Sequence, residues 1–311
     1  NTNTNDTLTW NNEFSYAPIT YPTPYYTRAM IPASAKDEGK ISQSIAKMLE
    51  EDLTLKYEND PETKQMVISG LGDMHLAVLA AKLKNRFGVN VNFDVPKMAY
   101  REKITKRVDV EGKHKKQNGG SGQYGHVKMR FAPGEGEGLT FTVSVVGGTV
   151  PKNFYPAVEK GIQDSMGKGA YGYPMTCLAA DLYDGSYHDV DSSATAYEIA
   201  GSMAFKAALE KANPVLMEPV MKVEIIVPEQ YMGDVMGNVS SRRGRVDGME
   251  ARAQDQIIHA FVPLSEMFGY TTDLRSRTQG RGMFTMQFDH YEEVPKNVAD
   301  KVIGARATAK K

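Results

Sequence analysis

The sequence has almost no cysteine and no long apolar run. Cys177 is the only cysteine among 311 residues, so no disulfide can form within the chain and a reducing, cytoplasmic setting is expected. No run approaches the roughly 18 apolar residues that a membrane-spanning helix needs, and no signal-peptide pattern is present. These absences argue against a disulfide-framed secreted domain and predict no membrane segment. Because the chain begins with Asn1 in a polar run, we expect a fragment of a longer protein.

The sequence also lacks the motifs of nucleotide and metal sites. No G-x-x-x-x-G-K-[ST] loop occurs, and the glycine-rich stretch 119–125 lies between predicted strands instead of opening a helix, so we expect no GTP binding by these residues. His188, Asp189 and Asp191 could ligate a metal ion, but no second histidine or cysteine cluster accompanies them. A metal-dependent hydrolase using these three residues is the alternative from another functional class, and metal analysis of the purified protein would distinguish it.

Positive charge is concentrated in three segments although the net charge is only -1. Residues 101–130 hold nine Lys or Arg against three Asp or Glu. The other two segments interleave arginines with glycine and serine, and their arginines are Arg242, Arg243, Arg245 and Arg252, then Arg275, Arg277 and Arg281. Such patches favour contact with phosphates, and a merely solvated surface is the alternative interpretation.

The order strand, helix, strand, strand, helix, strand occurs twice. It runs from Tyr25 to Val95, with Asp73 predicted to cap the second helix and Gly88 to end it, and again from Met221 to His290, with one helix predicted over 264–277. This order predicts two ferredoxin-like split βαβ units. Ahead of the first unit, residues 1–21 show little periodicity and end in a Pro-rich linker.

The middle of the chain follows another pattern. Strands are predicted over 100–110, 123–131, 139–146 and 175–182, with a helix over 155–166, and Cys177 is expected to be a buried, inert thiol in the last strand. His126, at the start of the second strand, is interpreted as a structural histidine. The segment 114–122 between the first two strands is basic and rich in glycine, which is typical of an exposed loop.

A polar turn precedes a strongly signalled helix in the segment 183–209. Asp191, Ser192 and Ser193 are good N-cap residues, so the helix should begin there. Ala200, Gly201, Ala204 and Ala208 form a small-residue face that we expect to be buried. His188 lies near the apex of the turn, which either carries function or merely caps the helix.

Several long motifs together resemble bacterial translation elongation factor G. They are Gly119 and Gly120, then GQYGHV at 122–127, YDGSYHDVDSS at 183–193, IAGSMAFK at 199–206, YMGDV at 231–235, SRRGR at 241–245 and LRSRTQGRG at 274–282. The resemblance covers nearly the whole chain as the part that follows the GTPase domain, so GTP and Mg would bind the parent protein outside these residues.

The resemblance implies an α+β fold class, with two ferredoxin-like domains flanking a domain similar to domain 2 of ribosomal protein S5. The implied boundaries are 1–21 for the tail of a preceding β-barrel domain, 22–97 for domain III, 98–218 plus 296–311 for domain IV, and 219–295 for domain V. The chain would be a monomer that binds the ribosome.

The resemblance also implies which residues meet RNA. The tip loops of domain IV would enter the decoding centre beside tRNA and mRNA, and their site residues are Lys115, Lys116, Gln117, Gly119, Gly120, Ser121, Gln123, Ser186, Tyr187, His188 and Asp189. The last domain would contact large-subunit ribosomal RNA through Arg242, Arg243, Arg245, Arg275, Arg277 and Arg281.

Three features depart from the family pattern. Ser121 stands where the family usually has Arg, Ala194 stands where it usually has an acidic residue, and the segment before Gly172 is shorter than usual. These departures suggest a divergent paralogue, and a role in ribosome recycling or ribosome protection is the alternative to translocation.

Overall fold

The computed structural model describes residues 2–10, 14–61, 63–117, 122–252 and 254–308. Helices cover one face of each main sheet, which confirms the predicted α+β class. Backbone contacts divide the chain into two compact units, Asn1–Ala99 with Pro219–His290 and Tyr100–Glu218 with Tyr291–Lys311. No helix in the described part of the chain combines the length and the apolar character needed to cross a membrane.

The first module of the chain has the ferredoxin-like order of elements. Its members are β1 (Tyr26–Pro32), α1 (Ala35–Glu51), β2 (Lys56–Asp60), β3 (Gln65–Gly70), α2 (Asp73–Phe87) and β4 (Val91–Asp94). The sheet order is β2-β3-β1-β4, with antiparallel pairing throughout. Gly88, at φ 65°, ends α2 as predicted, but Asp73 is the first helical residue and Gly72 holds the cap position without a side-chain bond. The predicted Asp73 cap is therefore wrong.

The middle unit is built on a second type of sheet. Its elements are β5 (Arg101–Ile104), β6 (Val108–Lys116), β7 (Gln123–Pro133), β8 (Leu139–Val143), α3 (Tyr155–Ser165), β9 (Leu178–Ser186) and α4 (Ala194–Lys211). The sheet order is β6-β7-β9-β8, in which β6, β7 and β9 are antiparallel and β8 runs parallel to β9.

Two strand predictions in this unit are corrected. The strand predicted over 100–110 is two strands, because an exposed turn at 105–107 separates β5 from β6 and β5 pairs with residues 214–217 instead. The strand predicted over 175–182 begins and ends later, at Leu178 and Ser186. Cys177 consequently lies before β9, half-buried and at φ 52°, and is not a buried strand residue.

Helix α4 packs against the sheet through small residues. Ala200, Ala204 and Ala208 are buried, as predicted for this face. On the facing strands, a Cβ at Gly112 would lie 2.1 Å from the carbonyl oxygen of Ala200, and one at Gly125 would lie 2.3 Å from that of Ala196. Helix and sheet therefore approach at a distance that side chains larger than hydrogen would prevent.

The last module repeats the first. Its elements are β10 (Pro214–Pro228), α5 (Met232–Ser241), β11 (Arg245–Arg252), β12 (Asp255–Pro263), α6 (Leu264–Met267), α7 (Tyr270–Arg277) and β13 (Met283–Glu293), and α8 (Lys296–Thr308) follows. The order β11-β12-β10-β13 matches β2-β3-β1-β4. The single helix predicted over 264–277 is broken, because Phe268 is extended and Gly269 is left-handed at φ 78°.

Candidate nucleic-acid interface

Two loops meet at one end of the β6-β7-β9-β8 sheet, here called the tip. The first loop joins β6 to β7 after the pair Lys116–Gln123, and the second follows β9 after the pair His126–Ser186. Most of the predicted tip residues are exposed, namely Lys115, Lys116, Gln117, Gln123, Tyr187, His188 and Asp189. Ser186 is half-buried, while Gly119, Gly120 and Ser121 lie outside the described residues. The structure thus brings together residues that are about 70 positions apart in sequence.

The second loop closes on itself before α4 begins. The amide of His188 donates to Ser192 Oγ at 2.9 Å, and the amide of Ser192 donates back to the His188 carbonyl oxygen at 3.1 Å. Ser193 caps α4 by accepting from the Ala196 amide at 3.2 Å, so of the three candidate caps it is Ser193 that serves. These bonds pair the backbone amides of His188, Ser192 and Ala196 within the segment itself. The side chains of Tyr187, His188 and Asp189 stay exposed to solvent or a partner.

Direct hydrogen bonds join the two loops. The amide of Gly122 donates to Asp191 Oδ1 at 2.8 Å, and the amide of Tyr124 donates to the Asp191 carbonyl oxygen at 2.8 Å. The sequence-based site residues omitted both Asp191 and Tyr124. No local sequence pattern could have predicted that Asp191 contacts this part of the chain, since Gly122 and Asp191 are 69 residues apart. Both residues lie within the motifs that carry the family resemblance.

Ser186 is held from within the sheet. Its Oγ lies 2.8 Å from the Tyr124 hydroxyl and 2.6 Å from His126 Nδ1, and His126 Nε2 lies 2.8 Å from a Glu111 carboxylate oxygen. The carbonyl oxygen of Ser186 accepts from the hydroxyl of buried Tyr197 at 3.0 Å. His126 is therefore the structural histidine that the sequence indicated, and Ser186 anchors the base of the second loop.

His188 presents its imidazole at the tip. Its side chain is 56% exposed, and Nδ1 accepts from the amides of Val190 and Asp191 at 3.4 and 3.3 Å. A ring nitrogen that accepts in neutral imidazole leaves the proton on the other one, so Nε2 is the donor nitrogen. The ring centroid is 6.2 Å from that of Tyr124, so two aromatic rings stand side by side at this end of the sheet.

On the face of the β6-β7-β9-β8 sheet that lies away from α4, the charge changes toward the tip. Away from the tip, the basic side chains are paired with carboxylates: Lys128 Nζ lies 2.8 Å from Asp184, and Arg130 lies 3.1 Å from Asp109 and 3.4 Å from Asp181. Nearer the tip, Lys113 and Lys115 extend from this face of β6 opposite His126 and Tyr124 of β7, which carry no carboxylate, and Lys116 follows at the end of the strand on the other face. The positive charge that could attract RNA phosphates is therefore concentrated at the tip.

The Lys128–Asp184 pair gives the unit an acid-sensitive contact. Hydrogen bonds from Lys128, the Gly185 amide and Thr149 lower the pKa of Asp184 from 3.8 to about 2. A carboxylate with a depressed folded-state pKa stabilises the fold above its unfolded pKa, and this contribution is lost as the pH falls through the folded value. We expect the stability advantage of the wild type over Asp184→Asn to be constant near neutral pH and to disappear as the pH falls from about 4 to about 2. Urea unfolding across that range measures it, and a difference that does not change with pH would contradict the assignment.

The arginines of the last module fall into two groups. Arg242 and Arg243 are half-buried and engaged: Arg242 donates to Asp273 at 2.9 Å and to Asn238 at 3.2 Å, and Arg243 donates to Glu266 at 2.9 Å. The other four predicted residues are exposed, namely Arg245, Arg275, Arg277 and Arg281. The guanidinium of Arg245 lies over the Phe261 ring, Arg281 lies over Tyr231, Arg275 donates to the Leu71 carbonyl oxygen and Arg277 donates to Asp273.

Asp273 shows how strongly the first group is bound internally. Burial acts to raise the pKa of Asp273, but hydrogen bonds from Arg242, Arg277 and Asn238 outweigh it and hold the pKa below the ordinary value. Arg242 also lies over the ring of buried Tyr270, with its guanidinium carbon 5.1 Å from the centroid. Its charge is therefore neutralised inside the module, whereas that of Arg245 points to solvent.

The geometry supplies no metal-ligand set for the alternative hydrolase. Among the described residues, no three His, Cys, Asp or Glu side chains converge so that they could hold a metal ion. His188 Nδ1 lies 3.5 Å from Asp191 Oδ2, which is the contact of an imidazole with one carboxylate. The polar groups of the tip thus bind one another.

Comparison with known proteins identifies the family. The model for elongation factor G domain III matches residues 21–95, that for domain IV matches residues 96–213, and that for the elongation factor G C-terminus matches residues 215–302. A crystal structure of a protein from Thermus thermophilus is similar over 94% of this chain, with 40% sequence identity and a TM-score of 0.84. This chain covers 44% of that one, so it spans less than half of the relative's length. The chain therefore belongs to the elongation factor G family and comprises its domains III and IV and its C-terminal domain.

Proposed function

We propose that this chain is the ribosome-binding portion of an elongation factor G-like translational GTPase, and that its tip promotes movement of tRNA and mRNA. The observation that carries the proposal is the tip itself, where residues distant in sequence are joined by hydrogen bonds and His188 is exposed at the same end of the sheet as Lys115 and Lys116 of β6. An exposed imidazole with one N–H donor suits a ribose, a base edge or a phosphate, and the lysines suit the RNA backbone.

The mechanism is a differential affinity for two states of the ribosome. A factor shifts an equilibrium only to the extent that it binds one state better than the other. We propose that the tip enters the decoding centre as the tRNA leaves, and that its contacts with tRNA and mRNA are better satisfied after movement than before. GTP and Mg would act in the GTPase domain of the parent, and the factor would work as a cytoplasmic monomer with domain boundaries at residues 22, 98, 219 and 296.

The last domain would hold the factor on large-subunit ribosomal RNA. We propose that the exposed guanidinium groups of Arg245, Arg275, Arg277 and Arg281 contact phosphates, whereas Arg242 and Arg243 keep the loop between α5 and β11 in shape. Each phosphate contact that is lost should reduce the slope of log affinity against log salt by about one.

Substitution of His188 tests the translocation proposal. We expect His188→Ala, in the full-length parent, to slow mRNA movement several-fold while multiple-turnover GTP hydrolysis and thermal stability stay nearly unchanged, because surface substitutions of this kind cost within about 0.5 kcal/mol. Stopped-flow measurement of mRNA displacement beside phosphate release makes the comparison. Val190→Ala is the matched control, since Val190 is 74% exposed on the same loop.

Two outcomes of this experiment would count against the proposal. Equal slowing of displacement and of phosphate release would place His188 in a step common to both, and no slowing of either would remove it from the interface. If displacement by the wild-type parent is absent and subunit splitting or relief of an inhibitor is found instead, the parent is a paralogue acting in ribosome recycling or protection.

A further inference from the structure

We propose that Asp191 is a positioning residue that fastens the second tip loop to Gly122 and Tyr124, where the first loop enters β7. The fastening concerns only this chain, whereas its consequence for RNA binding rests on the proposed function. Asp191 lies in the second loop; its side chain reaches Gly122 at the end of the first loop and its backbone reaches Tyr124 in β7. We refer to these contacts, Asp191 with Gly122 and Tyr124, as the clasp.

The Asp191 carboxyl group lies close to the backbone of Gly122. Asp191 Oδ1 accepts the Gly122 amide at 2.8 Å, and an ionised carboxylate makes a stronger acceptor than a neutral oxygen. A Cβ at Gly122 would lie 3.0 to 3.1 Å from the carboxyl group of Asp191, which is tighter than ordinary van der Waals contact. Glycine at this position therefore allows the carboxylate to reach the amide.

The same residue orients the imidazole of His188. The Asp191 amide donates to His188 Nδ1 at 3.3 Å, and Asp191 Oδ2 lies 3.5 Å from that nitrogen. With the loop closed between His188 and Ser192, the Asp191 amide bonds the imidazole while the Asp191 carboxylate and carbonyl oxygen bond Gly122 and Tyr124, so one residue connects the imidazole to the start of β7. The Asp191 side chain is 25% exposed, so water competes with this set only in part.

Preformed loops bind with less loss of conformational freedom. Ordering an interface loop during association costs free energy that is subtracted from the contacts it makes. The clasp removes part of that cost, because it holds the second loop, which carries His188, against the start of β7 before any partner binds. The surface that results suits a stretch of RNA in which a phosphate adjoins a ribose or base acceptor.

Amide hydrogen exchange of the 311-residue chain tests the clasp directly. In Asp191→Ala, protection of the Gly122 amide should fall about tenfold or more, since a hydrogen bond to a charged group is lost. The Tyr124 amide should change much less, because its acceptor is the backbone of residue 191. Asp191→Asn keeps an acceptor oxygen and should lie between the wild type and Asp191→Ala.

Two further variants make the exchange experiment specific. Asp189→Asn removes the same charge from the same loop without touching Gly122, so protection of the Gly122 amide should not change. Gly122→Ala disturbs the clasp from the other side, because its methyl group would crowd the Asp191 carboxyl group, and it should lower the protection of the amide at residue 122 whatever the stability of the Asp191 variants. Unchanged protection of Gly122 in Asp191→Ala would overturn the clasp.

A double-mutant cycle with His188→Ala tests the positioning role. Binding of the chain to purified bacterial ribosomes carrying tRNA and mRNA should weaken several-fold in Asp191→Ala, and much less so when His188 is already alanine. Strictly additive effects would overturn positioning even if Gly122 had lost protection, because a general loss of stability acts independently of His188. If the wild-type chain does not bind ribosomes at all, the proposed function fails while the exchange experiment still decides the clasp.

Discussion

Replacing Gly125 by alanine is expected to destabilise the unit built on β6, β7, β9 and β8 by about 3 kcal/mol, near the upper end of the usual cost of overpacking. The added methyl group would lie 2.3 Å from the carbonyl oxygen of Ala196 and 2.9 Å from the Tyr197 amide nitrogen. Both are backbone atoms of α4, so no rotamer change can relieve the overlap. The helix must move away from the sheet, which also loosens the packing of Tyr197, a residue with no exposed surface.

Thermal unfolding measures this effect, and the transition of this unit should shift down by roughly 10 °C. Gly304→Ala is the matched control in the same unit, because Gly304 lies in the exposed part of α8 with no atom within 4 Å of an added Cβ. There alanine should raise stability by about 0.5 kcal/mol through its better helix propensity. Similar melting of wild type and Gly125→Ala would show that α4 lies further from β7 than the structure has it.

Arg242→Ala is expected to cost about 2 kcal/mol in the stability of the last module, because it removes a charged donor from half-buried partners. The side chain of Arg242 is 19% exposed and bonds Asp273, Asn238 and the backbone carbonyl of Glu266. Without it, the Asp273 carboxylate keeps Arg277 and Asn238 but loses one of the bonds that offset its burial. Lysine cannot reproduce the forked contacts, so Arg242→Lys should recover little.

Arg245→Ala is the control, since Arg245 is exposed and only three residues away. Its loss should change stability by no more than about 0.5 kcal/mol while reducing the salt dependence of ribosome binding by about one unit of slope. Denaturant unfolding measures the first quantity and binding at several salt concentrations the second. Equal stability losses in the two variants would mean that the bonds of Arg242 add nothing to the fold.

Arg242 and Arg245 also show that neighbouring cations of one motif can have different surroundings. The motif SRRGR reads as a run of equivalent cations, and all three arginines were predicted to contact RNA. Whether a guanidinium faces solvent depends on the acids that the fold brings near it. Asp273 and Glu266 come from α7 and α6, more than 20 residues further along the chain, and no local signal announces them.

Local signals succeeded where the causes are local. The start of α4 among three candidate caps, the end of α2 at Gly88 and the buried alanine face of α4 depend on residues within one or two helical turns, so periodicity and capping chemistry predicted them. The predictions failed at 105–107, a polar stretch between two strands that were predicted as one, and at Phe268, where the apolar pattern of the predicted helix continues although the backbone is extended. At 105–107 tertiary pairing decided the outcome, since β5 pairs with residues 214–217 and not with its sequence neighbours.

The sequence by itself determined the family, the repeated ferredoxin-like order and the exposure of most tip residues, because these follow from long motifs and from the spacing of apolar side chains. Only the tertiary structure decided that Asp191 joins the two loops, that Ser186 is held by Tyr124 and His126, and that Arg242 is neutralised within its module. Each of these contacts joins residues separated by between 30 and 70 positions. Strand register and helix packing set such distances, and neither is encoded in any short stretch of the chain.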